Sequence, residues 1–335
     1  MTTTKTATAA EATESTPTES RRERLIGVAQ QQGGVAVLVI VVVLASAFSP
    51  GFADTGNFQS ILVGNAYTSL LALGMTFVII TGGIDLSVGS VFALSGVLAA
   101  WGSLHGGAVV ALLLPICVAA TIGLVQGLLI ARARLAPFIV TLAGLLFARG
   151  LLQAISHEGS KTYLVPHGSA FVALGDGTWV PICTAVVLFA LGGLLLTRTR
   201  FGQALFALGG NENAAMLMGV PVARTKTIVY VLSGTLAGVA GALNAARLES
   251  GVTNIGIGYE LTAIAAVVIG GTLLTGGSGS VAGTAAGVLL LAVIQNLIGV
   301  HLSQYGSSAS DFANGLFLAL VVLVQTSLAR ARRLS

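Results

Sequence analysis

The stretch Thr81-Gly82-Gly83-Ile84-Asp85-Leu86-Ser87-Val88-Gly89-Ser90 separates two long apolar segments and decides the fold of the chain. It carries three glycines and one carboxylate, and Asp85 is the only acidic residue between Asp54 and Glu158. A carboxylate beside apolar segments of this length is costly in a bilayer, which indicates a structural or functional role. Two roles fit the pattern: Asp85 is the N-cap of the helix that follows, or it takes part directly in the function of the chain.

The composition on both sides of this stretch is that of an integral membrane protein. Of the 335 residues, 55% are hydrophobic and only 8% are charged, against roughly 25% charged residues in soluble domains. The 44 glycines allow helices to approach closely. The net charge of +4 comes from short basic clusters between apolar segments, which set membrane topology. We therefore expect a membrane lipid environment and no nucleic-acid partner.

Ten apolar segments have the length of a membrane span. The segment at 260–276 is short and rich in glycine at its end, so it is predicted to be broken or re-entrant. The predicted fold class is an all-α polytopic membrane protein with glycine-broken elements. The predicted spans are residues 25–48, 58–80, 84–104, 107–131, 135–155, 178–197, 226–246, 260–276, 280–300 and 311–329.

The basic residues indicate the orientation of these spans. With the N-terminus inside, nearly all of them fall on the cytoplasmic side, as the positive-inside rule requires. Only Lys161 and Arg247 lie outside, and Arg149 falls within a span. Both termini are then cytoplasmic. The predicted inside set is Lys5, Arg21, Arg22, Arg24, Arg132, Arg134, Arg198, Arg200, Arg224, Lys226, Arg330, Arg332 and Arg333.

The N-terminal residues 1–24 are predicted to be a disordered cytoplasmic tail, because Thr, Ala, Glu and Ser dominate them. Residues 25–335 are predicted to form one transmembrane domain. Two interpretations of the first apolar segment remain open. It is a retained helix, or it is a cleaved signal peptide with a cleavage site near Ala45-Ser46-Ala47.

The inner connection around residues 199–226 is more than a polar linker. Asn211 is predicted to cap a short helix over Glu212–Met218, which Gly219 ends before Pro221. A short helix that exposes Met216, Leu217 and Met218 between basic residues suits docking to a cytoplasmic partner. The alternative is a helix that lies on the lipid headgroups.

A weak internal repeat connects two parts of the chain. Thr81-Gly82-Gly83 before Gly89-Ser90-Val91 recurs as Thr275-Gly276-Gly277 before Gly279-Ser280-Val281. Both copies lie where a predicted inward span meets an outward one. Repeats with glycine-interrupted helices at matching positions are typical of transport folds and point toward the pathway.

Several chemistries are absent from the sequence. It has no Gly-x-x-x-x-Gly-Lys-[Ser/Thr] phosphate loop and no zinc or cysteine motif, so we expect no ATPase site, no metal and no bound cofactor. Asp85, Arg149 and Glu260 are the only charges in or beside the spans apart from their terminal clusters, fewer than proton coupling usually needs. Neutral polar residues such as Asn65, Asn244 and Asn296 could pass a hydroxyl-rich solute along, or simply join helices by hydrogen bonds.

These motifs together resemble the ribose-type permease subunits of bacterial ABC importers. The resemblance runs from about residue 50 to residue 325. Within the family, the chain most resembles the galactofuranose permease. The motifs that carry it are Gly82–Ser90, Thr141-Leu142-Ala143-Gly144 with Arg149-Gly150, Thr199-Arg200-Phe201-Gly202 leading to Gly209-Gly210-Asn211, Ala263–Thr272 and Gly279–Thr284; the galactofuranose likeness adds Pro50-Gly51-Phe52-Ala53, Gly74–Ile79 and Pro137–Gly144.

The resemblance implies a permease in the bacterial inner membrane that imports a monosaccharide and works with three kinds of partner. These are an ATPase subunit that consumes ATP, a periplasmic or lipid-anchored sugar-binding protein, and a second permease subunit. The binding protein would meet the outer segments 49–57, 156–177 and 247–259. The implied ATPase-coupling residues are Gly209, Gly210, Asn211, Glu212, Ala214, Met216 and Gly219. The candidate pathway or gate residues are Asn65, Gly82, Gly83, Asp85, Ser87, Asn244, Gly276, Gly277 and Asn296.

Two other classes of function compete with this one. A secondary sugar transporter would take up sugar alone, without ATP or partners. A membrane scaffold would show no uptake even with the ATPase and the binding protein present.

Overall fold

The computed structural model describes residues 21–302 and scattered positions between 309 and 319, with side chains from residue 35 onward. Residues 1–20 of the predicted tail and most of the predicted span 311–329 lie outside the described residues. Helix α1 begins at Arg21, so the last four residues of the predicted tail are helical. Arg, Glu and Leu are good helix formers, and here they extend the apolar helix that follows.

The described chain is almost entirely helical, with two short strands on one face. The helices are α1 (Arg21–Phe48), α2 (Thr55–Ile80), α3 (Val88–Ala131), α4 (Pro137–Ile155), α5 (Trp179–Arg198), α6 (Arg200–Gly210), α7 (Glu212–Leu217), α8 (Val222–Leu248), α9 (Tyr259–Ile269) and α10 (Val281–Leu302). A 3₁₀ turn covers Val172–Leu174, and the strands are β1 (Tyr163–Leu164) and β2 (Ser250–Gly251).

Six of these helices are long and apolar enough to cross a membrane, so the chain is a polytopic membrane protein. They are α2, α3, α4, α5, α8 and α10. Helix α9 is apolar but shorter than a span.

Helix α3 is broken in the middle. Gly106 and Gly107 leave the helical conformation. Gly107 has a φ of +66°, at which the backbone of a residue with a side chain would be strained. A Cβ atom on Gly102 would lie 3.1 Å from the backbone of Val110 and Ala111. The chain therefore turns back on itself at residues 106–107. This turn falls between the predicted spans 84–104 and 107–131.

Helices α2 and α8 form the centre of the bundle. Nearly all residues of α2 from 66 to 80 are buried. Helix α8 crosses both halves of α3, with Gly241 against the Phe92 carbonyl and Gly234 against the Ala119 carbonyl. A side chain at either glycine would overlap those oxygens. Small residues let these backbones touch, which is how helices pack in lipid.

The predicted span at 260–276 is not a continuous helix. Helix α9 ends at Ile269, and residues 270–280 form an irregular loop with Gly271, Gly276 and Gly277 at positive φ. Before α9, Gly256 packs against the Gly89 carbonyl at the start of α3. Because an 11-residue helix is about 16 Å long, α9 reaches only about half the hydrocarbon thickness. As predicted, this segment is broken rather than a straight spanning helix.

Candidate functional site

The carboxylate of Asp85 lies at the centre of a buried polar cluster. Its side chain is 1% exposed. Oδ1 accepts hydrogen bonds from the Ser87 amide at 2.9 Å and the Ser87 hydroxyl at 2.7 Å. Oδ2 accepts one from the Ser233 hydroxyl on α8 at 2.8 Å. The carboxylate thus joins the chain entering α3 to the middle of α8. No salt bridge to Asp85 occurs within the described residues.

The second half of α3 and helix α4 complete this cluster. Gln126 donates to the Ser87 hydroxyl at 2.9 Å, and Thr141 donates to the Ile84 carbonyl at 3.3 Å. A side chain on Gly144 would overlap the Gln126 amide nitrogen, so this glycine makes room for the cluster. The motif Thr141–Gly144 therefore lies directly against the stretch that precedes α3.

Tyr230 on α8 borders the same cluster. Its hydroxyl is buried and has no hydrogen-bond partner among the described residues. A Cβ atom on Gly83 would lie 2.6 Å from this hydroxyl, so Gly83 allows the close packing. We name the five residues Asp85, Ser87, Gln126, Tyr230 and Ser233 the polar cluster.

The sequence predicted only part of the polar cluster. Asp85 and Ser87 were among the candidate pathway residues. Gln126, Tyr230 and Ser233 were not. Ser233 and Tyr230 are three residues apart on α8, so they share a helix face. That spacing was the available signal. It did not mark a site, because both residue types are common on apolar helices.

The position of Asp85 differs from a helix N-cap. Helix α3 begins at Val88, and Ser87 occupies the cap position without a side-chain capping bond. Asp85 instead bonds the backbone two residues ahead and closes the turn before the helix, as short Asx side chains do. The predicted helix start near residue 84 was too early, because Gly82 at a φ of +76° and Gly83 direct the chain through a turn first.

Glycines from three separate segments meet at what we name the glycine junction: Gly82, Gly209, Gly210, Gly276 and Gly277. The Gly277 amide donates to the Ile80 carbonyl at 2.9 Å. A Cβ atom on Gly209 would overlap both of these bonded atoms. A Cβ on Gly276 would lie 2.8 Å from the Gly82 amide nitrogen.

The junction brings together the two copies of the internal repeat. The first corner, residues 81–87, follows α2, and the second corner, residues 270–280, follows α9. The end of α6 lies against both. The sequence analysis placed Gly209 and Gly210 in the coupling set and the other three glycines in the pathway set. In the structure all five lie at one junction.

The inner connection contains two helices where the sequence predicted one. Helix α6 was missed, although Leu205 and Leu208 are spaced for one helix face and are both buried. Helix α7 follows as predicted, since Asn211 accepts a hydrogen bond from the Ala214 amide at 3.0 Å. It ends at Leu217, one residue earlier than predicted.

The tip of α7 is an exposed apolar surface. Leu217 is 90% exposed, Met218 71% and Met216 50%. Glu212 at the start of α7 pairs with Lys226 on α8 at 2.7 Å. Ion pairing and the Asn211 cap therefore hold the helix while its apolar tip points away from the protein.

The other candidate polar residues do not join the polar cluster. Asn65 donates to the Ile61 carbonyl of its own helix at 2.9 Å. Asn296 on α10 and Asn57 on α2 exchange amide hydrogen bonds at 2.9 and 3.4 Å. Asn244 is half-buried on α8, eleven residues beyond Ser233. The structure therefore separates these positions along the bundle.

The face opposite the glycine junction is tied together by strands and two arginines. Strands β1 and β2 pair with Tyr163 opposite Gly251, which joins the predicted outer segments 156–177 and 247–259. Arg149 donates to the carbonyls of Thr253 at 3.1 Å and Ile255 at 3.3 Å. Arg247 donates hydrogen bonds to the carbonyls of Gly175 and Gly177.

Comparison with known proteins adds to this geometry. The family described as branched-chain amino acid transport system / permease component matches residues 57–325. No solved structure matches the chain.

Relatives named for sugars cover most of the chain. The ribose import permease of Bacillus subtilis is 39% identical over 93% of this chain and 98% of its own length. The L-arabinose transport system permease of Escherichia coli K12 is 36% identical, covering 90% and 92%. The fructose import permease of Bifidobacterium longum is 33% identical, covering 87% and 88%. The predicted resemblance is confirmed: the chain belongs to this family of transport-system permeases, together with the ribose, arabinose and fructose import permeases.

Proposed function

We propose that this chain is the membrane subunit of a bacterial ABC importer that moves a monosaccharide inward across the cytoplasmic membrane. The observation that carries the proposal is full-length similarity to import permeases for three different sugars. The family description names amino acids, and we assign a sugar because these relatives are 33–39% identical to the chain over most of its length.

A separate ATPase subunit supplies the energy in this proposal. The sequence has no phosphate loop of its own. The exposed α7 tip is a docking surface that could enter an apolar groove of the ATPase. The coupling residues on α7 and at its ends would meet the ATPase, and the two glycines at the end of α6 would connect α7 to the core; the set is Gly209, Gly210, Asn211, Glu212, Ala214, Met216 and Gly219. ATP binding would move this segment and switch the pore between outward-open and inward-open states, since only a partner with different affinity for two states can shift them.

The polar cluster borders the sugar pathway in this proposal, with the glycine-rich corners as its inner gate. A buried carboxylate surrounded by hydroxyl and amide groups supports this placement, because such groups can hydrogen-bond a sugar. Asn65, Asn244 and Asn296 would then serve as helix contacts or as positions along the route. This chain itself binds no metal or cofactor.

We propose a ten-span topology with both termini in the cytoplasm. The six spanning helices give seven spans when α3 is counted as two. Helix α1, the segment that contains α9, and the predicted span 311–329 would be the other three. Ala45 in α1 packs in one apolar cluster with Ala292 and Val293 of α10, which supports a retained first helix. Residues 25–335 would form the permease domain.

The outer face would receive a sugar-binding protein. Strand pairing and the two arginines combine segments 156–177 and 247–259 into one surface, which supports this assignment. A second permease subunit, identical or paralogous, would complete the pore. The galactofuranose-like motifs make that sugar the first to test.

Reconstitution in liposomes tests the function. The chain is combined with a candidate ATPase and binding protein, and pentoses and hexoses, including ribose and galactofuranose, are screened for stimulated ATP hydrolysis and uptake. We expect one monosaccharide to stimulate both. Uptake by the chain alone would identify a secondary transporter, and no uptake with both partners would leave a scaffold.

Charge at the α7 tip tests the coupling assignment. Leu217→Glu should abolish co-purification of the ATPase, because a buried unpaired carboxylate in an apolar groove costs several kcal/mol. Leu164→Glu, at an exposed leucine of β1 on the opposite face, is the control and should leave ATPase assembly intact. Normal assembly with Leu217→Glu would refute the α7 assignment.

A further inference from the structure

The glycine junction links the α7 docking surface to both corners through backbone alone. We propose that it is a rigid joint through which α6 moves the end of α2 and the second corner as one body. This inference rests on the proposed function and names the route by which the ATPase reaches the transmembrane core.

The contacts at the junction leave no soft element. The Gly209 backbone lies against the Ile80 carbonyl and the Gly277 amide, which are themselves hydrogen-bonded at 2.9 Å. Side chains absorb small displacements by changing rotamer, but backbone atoms in van der Waals contact do not. A displacement of α6 therefore displaces both neighbours.

The second corner contacts the same two segments. A Cβ on Gly276 would lie 3.1 Å from the Gly209 carbonyl, and one on Gly277 would lie 3.0 Å from the Gly210 Cα. The second corner is thus held between α6 and the end of α2. Three chain segments share one small volume without an intervening side chain.

The junction also leads into the polar cluster. Asp85 lies three residues after Gly82, and its carboxylate bonds Ser87 at the start of α3 and Ser233 on α8. Movement of the first corner would therefore pull on both helices. The other connection from α7 to the core is the ion pair between Glu212 and Lys226 on α8, which is weaker by comparison because the Glu212 side chain is 48% exposed.

Neighbouring glycines at the end of α6 provide a matched pair of variants. Gly209→Ala would force the Ile80 carbonyl and Gly277 apart, whereas a Cβ on Gly210 meets nothing within 4 Å. Both changes add one methyl group to the same helix. We expect sugar uptake by the Gly209→Ala complex, measured per ATPase bound, to fall about tenfold, which corresponds to the loss of about 1.4 kcal/mol of coupling. Gly210→Ala should transport like the unmodified chain.

The outcomes separate this inference from the proposed function. An unmodified complex without a sugar response overturns the proposed function and the joint together. A responsive complex in which the two variants transport equally overturns the joint alone.

Hydrogen exchange of the unmodified complex covers the case in which Gly209→Ala does not insert. The Gly277 amide should be equally protected in the nucleotide-free and ATP-trapped states, because a rigid joint keeps its bond to Ile80. Loss of protection on trapping would mean that the junction opens, and the proposal would be wrong.

Discussion

The first and second corners share a sequence pattern but differ in how they are held. In the first corner Thr81, Gly83, Asp85 and Ser87 are buried, and Asp85 accepts three hydrogen bonds. In the second corner residues 273–275 are exposed, and no carboxylate occupies the corresponding place. A repeat in sequence has therefore become one corner anchored by a buried carboxylate and one corner without such an anchor.

The helices that follow the corners also begin differently. Gly89 and Ser90 of the first copy lie inside α3, whereas Gly279 and Ser280 of the second copy precede α10. Ser280 accepts a hydrogen bond from the Gly283 amide at 2.9 Å and caps α10. The first corner is fixed to α8 by a side-chain bond, whereas the second has a local cap and a backbone bond to Ile80. The comparison indicates that the second corner moves with the end of α2, while the first corner also holds α3 and α8.

Removing the anchor should have the largest effect. Asp85→Ala leaves the Ser87 amide, the Ser87 hydroxyl and the Ser233 hydroxyl without their acceptor, which should lower the free energy of unfolding by about 3 kcal/mol. Denaturant-induced unfolding in detergent micelles measures this. Asp85→Asn is the control, because its amide oxygen still accepts from Ser87 and it should lose about 1 kcal/mol or less. An Asp85→Ala protein as stable as the unmodified chain would contradict the anchoring role.

Packing behind the first corner gives the next largest effect. Gly83→Ala places a methyl group 2.6 Å from the Tyr230 hydroxyl and should cost about 2 kcal/mol of unfolding free energy by overpacking. Tyr230→Phe removes that hydroxyl and should recover about 1 kcal/mol of the loss in the double variant. The same unfolding assay compares the four proteins.

Gly64→Ala controls for the added methyl group in this cycle. Gly64 lies on α2, where its Cβ would meet nothing within 4 Å, so no loss of stability is expected. Equal losses for Gly83→Ala with and without the Tyr230 hydroxyl would show that these groups do not touch.

Much of the fold could be predicted from the sequence, because apolar segments of spanning length and helix caps are local signals. The bounds of α2, α5 and α10 differ from the predicted ones by three residues or fewer. Asn211 and Gly219 delimited α7 because a cap and a stop act on adjacent backbone. Helix α9 was predicted as a short segment for the same reason, since its glycines interrupt the helix locally.

The site was less predictable, because its contacts join residues far apart in the chain. Ser233 bonds Asp85 across 148 positions, and nothing in the apolar pattern of α8 marks Ser233 as the partner of a distant carboxylate. The meeting of Gly209 with Gly277 depends on how α6 packs, and α6 itself was missed. The internal repeat predicted that both corners matter, but it could not show that one carries a buried carboxylate bonded to α8 and the other a local cap.

Loss of the local cap should give the smallest effect and test the comparison most directly. Ser280→Ala removes the acceptor for the Gly283 amide and should lower the free energy of unfolding by about 1 kcal/mol. Ser278→Ala, on an exposed residue of the same loop, should change it by less than about 0.5 kcal/mol. If Ser280→Ala costs as much as Asp85→Ala, the second corner is anchored as firmly as the first, and the buried carboxylate does not distinguish the two corners. If its cost stays near that of a single cap, the anchored corner is where transmitted movement reaches α3 and α8.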